Sequence, residues 1–166
     1  PNGVLDLSTI KEMWFSPREQ RSLNLRRGDI VVVEGGVGGY GRAAFIPDDL
    51  RGIGFQNSIV RVRPYSNADG RFLTYVLLHL RTIGYIEMIA NVASMPHFTA
   101  EKVAATRVPV PPVAEQIAIA DHLDSFTQTV DRAIDVAIRG IELARERRAA
   151  LISAAVTGKI DVGVAA

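Results

Sequence analysis

Two sets of residues in this chain have types and spacings that could do chemistry. Gly36-Val37-Gly38-Gly39-Tyr40-Gly41 matches the GxGxxG spacing that lets a backbone close on a pyrophosphate. That chemistry needs a helix to begin at the loop, because the phosphate rests on the helix N-terminus. Here the next residues are Arg42-Ala43-Ala44-Phe45-Ile46, a β-like run stopped by Pro47, and no Gly-Lys-Ser/Thr follows as a phosphate loop requires. The glycines therefore read as a hairpin, or as a loop that lets Tyr40 and Arg42 approach a ligand closely.

The histidines are the second set. His79, His97 and His122 form no metal-binding pair at helical spacing, and the sequence has no His-Glu-x-x-His run and no cysteine. His79 reads as a core or edge residue and Asp121-His122 as a solvated helix face, while His97, in a loop beside Pro96, is divided between binding and packing. Ser94 and Thr99 have no neighbouring base. The residues thus predict no nucleophile, no metal site, no cofactor and no enzyme.

What remains is basic and amide chemistry. Arg61 and Arg63 alternate on one strand face, and Gln56-Asn57 precede them. Arginine pairs bidentately with guanine or phosphate, and Asn and Gln with adenine. This combination near a glycine loop fits binding to a nucleic-acid groove, set against the plainer reading of solvated surface charge.

The elements that must position these residues follow from periodicity. Ile30-Val31-Val32-Val33 is a buried strand between Arg27-Gly28-Asp29 and Glu34-Gly35-Gly36. Arg42–Ile46 and Ser58–Arg63 are further strands, giving a small, mostly antiparallel sheet. Arg71 to Ala90 changes to helical spacing, with a possible break at Gly84, and Asn91–Thr99 reads as a loop. Thr99 caps a short helix, and Val108-Pro109-Val110-Pro111-Pro112 is a stiff connector.

From Glu115 the chain is helical almost to its end, with Gly158 as its stop. Ile119, Leu123, Phe126, Val130, Ile134, Ile138, Ile141, Arg145, Arg148 and Ile152 recur at spacings of three or four, one stripe of coiled-coil type. Asp121 to Ser125 predicts an early break or kink. The stretch from about residue 126 to 157 would be roughly 48 Å long. A stripe of that length needs a second helix to cover it. The fold class is α+β: a sheet domain with helices, then a long C-terminal helix.

Composition agrees. The 166 residues are 48% hydrophobic and 22% charged, which excludes general disorder, and mean hydropathy is +0.14, rather apolar for a soluble chain. No run approaches a membrane span and the N-terminus has no signal pattern, so a cytoplasmic protein is expected. The net charge of +1 averages two unlike parts. Residues 1–111 carry 13 Lys+Arg, 11 of them Arg, against 10 Asp+Glu; residues 112–166 carry 6 against 8. The positive surplus sits in the part where the candidate contacts lie.

Several stretches carry a resemblance. Pro111-Pro112-Val113-Ala114-Glu115-Gln116-Ile117-Ala118, the run Arg147–Ser153, and Val156-Thr157-Gly158-Lys159-Ile160 resemble the helical spacer of specificity (S) subunits of type I restriction-modification systems. Upstream, Asn2–Leu7, Gly28-Asp29-Ile30, Glu34-Gly35-Gly36, Gly41-Arg42, Gln56-Asn57, Arg61–Pro64 and Met95–Phe98 are similar to a target recognition domain of that family.

The resemblance implies residues 1–110 as a recognition domain and 111–166 as the helical spacer. It implies double-stranded DNA as ligand, with Tyr40, Arg42, Gln56, Asn57, Arg61, Arg63 and His97 as candidate contacts. It also implies methyltransferase subunits as partners, a restriction subunit in the full complex, and catalysis in those partners. Family members carry two recognition domains and two antiparallel helices, reading a bipartite site. One domain and one helix therefore predict a homodimer, or pairing with another half subunit, through Ile119, Leu123, Phe126, Val130, Ile134, Ile138, Ile141 and Ile152. The chain begins in what resembles the middle of a recognition domain, so several tens of residues are expected before Pro1. The rival expectation is a truncated interaction protein that binds partners through its helix and does not read DNA.

Overall fold

The computed structural model describes Gly3, residues 5–36, 39–90 and 96–160, and Gly163. The parts of the expected glycine loop at Val37-Gly38 and of the Asn91–Thr99 loop at 91–95 lie outside the described residues. The chain divides into two compact units, Pro1–Asp121 and His122–Ala166.

The first unit is built on three antiparallel strands, β1 (Ile30–Val33), β2 (Ala43–Phe45) and β3 (Ile59–Val62), with β1 in the centre. β1 pairs with β2 in the register Val31↔Ala44 and with β3 in the register Val31↔Arg61. Alternation then separates two apolar clusters. Ile30, Val32, Ala43 and Val60 point to one face, where α2 (Gly70–Thr82) and α3 (Tyr85–Ala90) add Leu77 and Ile86, and Phe98 closes the cluster. Val31, Ala44, Leu25 and Ile46 form the other cluster, covered by Leu5, Leu50, Phe55 and Ile59. A strand buried on both faces must be apolar throughout, which is why β1 is an unbroken Ile-Val-Val-Val run.

The break at Gly84 is real: its φ of +76° ends α2 and lets α3 start at once. Thr99 caps α4 (Ala100–Ala105) as expected. A helix absent from the periodicity, α1 (Pro17–Ser22), is present, and Ser16-Pro17-Arg18-Glu19 carries its full start signal. The Ser16 hydroxyl accepts from the Glu19 N–H while the Glu19 carboxylate accepts from the Ser16 N–H, and Pro17 occupies the first turn.

The long helix α5 (Val113–Val156) has 44 residues and begins directly after Pro112. The break expected at Asp121–Ser125 does not occur. Asp, His and Ser each cost a helix only a few tenths of a kcal/mol, about what neighbouring Ala and Leu residues offset. Asp121, His122 and Ser125 are exposed, and Thr127 and Thr129 donate their hydroxyls to carbonyls one turn back, an arrangement a continuous helix accommodates. In the second unit, from His122, the helix is the main element. Its stripe residues Phe126, Val130, Ile134, Ile138, Ile141 and Ile152 are between 41% and 61% exposed.

Candidate nucleic-acid interface

Register places the candidate contacts at two opposite ends of the sheet. At the first end β1 runs out through Glu34 and Gly35. The Val33 N–H donates to Arg42 O (2.9 Å) and the Glu34 N–H to Ser58 O (2.8 Å), so Arg42 and the Gln56–Ser58 turn flank the same strand end. The Phe98 N–H donates to Glu34 O (2.7 Å), and Gly35 bridges to His97. The Gly41 N–H closes the β1–β2 hairpin on Val33 O (2.8 Å). Gly41 has a φ of +73°, and a Cβ there would lie 2.7 Å from Ile86 Cγ2, so only glycine fits the corner. The described end of the GxGxxG match, Gly39 to Gly41, thus leads into a strand, with no helix starting there for a phosphate.

Five of the seven candidate contacts converge there. Arg42, Gln56, Asn57 and His97 are exposed, and Tyr40 is half-buried against the core with its carbonyl accepting from Arg81 Nε (3.2 Å). Gln56 also lines an open cleft of about 650 Å³ with Ile10, Met13 and Phe15. His79, read as core or edge, is exposed on α2.

Arg61 and Arg63 share a strand face, as their alternation requires, but their guanidiniums turn to the chain itself. The register that sets Val31 against Arg61 and Ile30 against Val62 sets Asp29 against Arg63. Arg63 Nε and Nη2 each donate to an Asp29 carboxylate oxygen at 2.7 Å, a bidentate pair in which Asp29 is 1% exposed. The Arg26 N–H adds a third bond to that carboxylate (2.8 Å). Burial alone would push Asp29 up; the Arg63 and Arg26 hydrogen bonds and the charges of Arg63 and Arg61 outweigh it and hold the carboxyl below its ordinary value.

Arg61 Nη1 donates to Ser22 O (2.9 Å) and Asn24 O (2.8 Å), and its guanidinium lies 5.6 Å from the Phe55 ring centre. Burial, with Arg63 beside it, pushes its pKa down. Arg61 thus ties β3 to the Ser22–Asn24 segment, and Arg63 ties it to Asp29. Asn57 lies in the turn before β3 and Arg63 just past its end, so the four-residue strand separates them.

The structure also explains the Glu-Gln element after the prolines. Gln116 is fully buried: its Oε1 accepts from the Asp69 N–H (2.9 Å), and its Nε2 donates to Pro111 O (2.7 Å) and Asn67 O (3.2 Å). Asp69 in turn caps α2 through the Phe72 N–H. Arg71 and Asp121 form an ion pair at 2.7 Å. The first turns of α5 are thereby tied to the start of α2 within the first unit. No residue count or periodicity signals a buried glutamine; only its three partners reveal the role.

Among the described residues no group of His, Asp and Glu could hold a metal ion, and no helix is long and apolar enough to cross a membrane. Fold and site together define an α+β domain with an exposed polar and basic sheet end, leading into a long helix. A model of the type I restriction modification DNA specificity domain matches residues 17–137, and the chain belongs to that family. Among solved structures, a chain from work on the complex assembly and conformational transition of a type I R-M system is similar, with a TM-score of 0.62 and 22% identity. The likeness covers 80% of this chain and 31% of that one, so this chain spans about a third of that relative's length. No curated protein matches.

Proposed function

We propose that the chain reads one half of a bipartite DNA site for a type I restriction-modification system. Residues 1–110 form the recognition domain, and residues 111–166 form a spacer helix that pairs with a second such helix and docks methyltransferase subunits. The carrying observation is the convergence of Tyr40, Arg42, Gln56, Asn57 and His97 on one sheet end. Arg42 supplies a contact to phosphate or guanine, the amides and His97 meet base edges, and Tyr40 gives the loop a packed root. Arg61 and Arg63, both engaged inside the chain, brace β3 at the opposite end of the sheet. Methylation and cleavage belong to the methyltransferase and restriction subunits, in the cytoplasm where the DNA lies.

The helix part of the reading is supported by the half-exposed stripe from Phe126 to Ile152. An Ile side chain moved from water into a seam gains about 1.5–3 kcal/mol, so six such positions left open strongly favour a partner helix. Replacing Val130, Ile134 and Ile141 by Glu should then give monomers by light scattering, and an unchanged mass would remove self-pairing from the proposal.

Selection from randomised duplexes at two salt concentrations tests the DNA part. A reader enriches a sequence and weakens as salt rises, because phosphate contacts release counterions. Absence of enrichment at low salt, with partner binding retained, would leave only an interaction role for the helix.

A further inference from the structure

His97 is held more firmly than an exposed loop residue needs to be. Its neighbour's N–H, on Phe98, is bound to Glu34 O (2.7 Å), and the residue itself bridges to Gly35. Its own carbonyl accepts from Lys102 Nζ (2.9 Å), and the same ammonium donates to Ala90 O (2.7 Å) at the end of α3. The imidazole lies on Gly35, where a Cβ would come within 2.8 Å of Nδ1 and 2.9 Å of Cε1. Gly35 is not among the glycines with positive φ, so its backbone suits any residue, and a side chain there would have to displace the His97 ring.

We infer that His97 determines specificity at one base of the DNA site, and that Gly35 and Lys102 are positioning residues that set its imidazole without touching DNA. The inference rests on the DNA-reading role proposed above. An anchored backbone with an exposed ring loses little freedom on binding, and the two ring nitrogens of an imidazole can hydrogen-bond to a base edge. Lys102 is unsuited to phosphate contact in this arrangement, because two of its three N–H donors already end on backbone carbonyls.

The test uses the whole chain, selection from randomised duplexes, salt titrations and parallel thermal melts. Gly35→Ala and Lys102→Met should each reduce preference at one base position about tenfold, with non-specific binding and salt slope unchanged. Lys102→Arg should restore part of the preference. In a His97→Ala background Gly35→Ala should have no further effect, since the ring it displaces is gone. Unchanged preference in Gly35→Ala, or an equal loss with and without His97, overturns the inference. A salt slope lowered by about one in Lys102→Met would instead make that lysine a phosphate contact. Should Lys102→Met fail to fold, Gly35→Ala and the double variant decide. Wild-type chain without any selection would sink the DNA reading and this inference together; selective wild type with an indifferent Gly35→Ala sinks this inference alone.

Discussion

The two ends of the three-stranded sheet carry similar side chains and treat them in opposite ways. At the Asp29 end Arg63 is locked to a buried carboxylate and Arg61 to two carbonyls. At the Gly35 end Arg42, Gln56, Asn57 and His97 stand in solvent on a tightly bonded backbone. Arginine is thus no marker of a binding surface by itself. Whether its donors are spent inside the fold or left for a ligand depends on what the strand register sets opposite it, and here one register decides both cases.

The comparison is sharpened most by breaking the closed end. Arg63→Met leaves Asp29 buried and without its bidentate partner. Removing one member of a buried pair costs about 3–5 kcal/mol; because Arg63 is 38% exposed, a loss of about 2–3 kcal/mol is expected by denaturant unfolding. A change within a few tenths of a kcal/mol would mean that the closed end is no more structural than the open one.

The pH dependence of that loss carries its own sign. In the wild type Asp29 has a lowered pKa, so its contribution is present above the unfolded value of about 3.9 and is lost as pH falls through the folded value. Without Arg63, burial pushes the carboxyl up instead and the ionised form destabilises the fold. The stability gap between wild type and Arg63→Met should be widest near neutral pH, begin to shrink as pH falls through the variant's higher Asp29 value, and stop shrinking only below the wild type's lowered one. A gap independent of pH would assign the loss to packing rather than to the ion pair.

Gln116→Ala tests whether the joint behaves like the closed end. It orphans the Asp69 N–H and the Pro111 and Asn67 carbonyls, at a cost of about 1–3 kcal/mol. Melting unchanged by the substitution would show that water replaces the amide at this joint.

The smallest stability effects belong to the open end. Arg42→Ala and Asn57→Ala should each stay within about 0.5 kcal/mol of wild type, since neither side chain serves the core. Their effect belongs to DNA binding: a salt slope reduced by about one for Arg42, if it meets phosphate, and relaxed selection at one base for Asn57. A substitution here that unfolds the domain would erase the distinction between the two ends.

Much of this organisation was legible in the chain. The Ile30–Val33 run, the Gly84 break, the Thr99 cap and the three-to-four stripe of α5 are local patterns that depend on near neighbours, and each produced the element it signals. The Ser16–Glu19 capping box is a local signal of the same kind, with too short a helix behind it to show a periodicity. The expected break at Asp121–Ser125 is absent, because propensities this weak do not end a helix when the side chains concerned are largely exposed. Alternation put Arg61 and Arg63 on one face and could say nothing of what lay there.

The amino-acid sequence by itself determined most of the elements, the start of the long helix after the prolines and the apolar stripe, because caps, periodicity and turn residues act over a few positions. Only the tertiary structure decided which polar residues are spent and which are free. Asp29 meets Arg63 across 34 positions and Gln116 meets Asp69 across 47. Such pairings are set by strand register and by the path of the chain between elements, which no local pattern contains. The same register gathers Arg42, Asn57 and His97 at the other end, and it makes a surface from residues that are separate in the sequence.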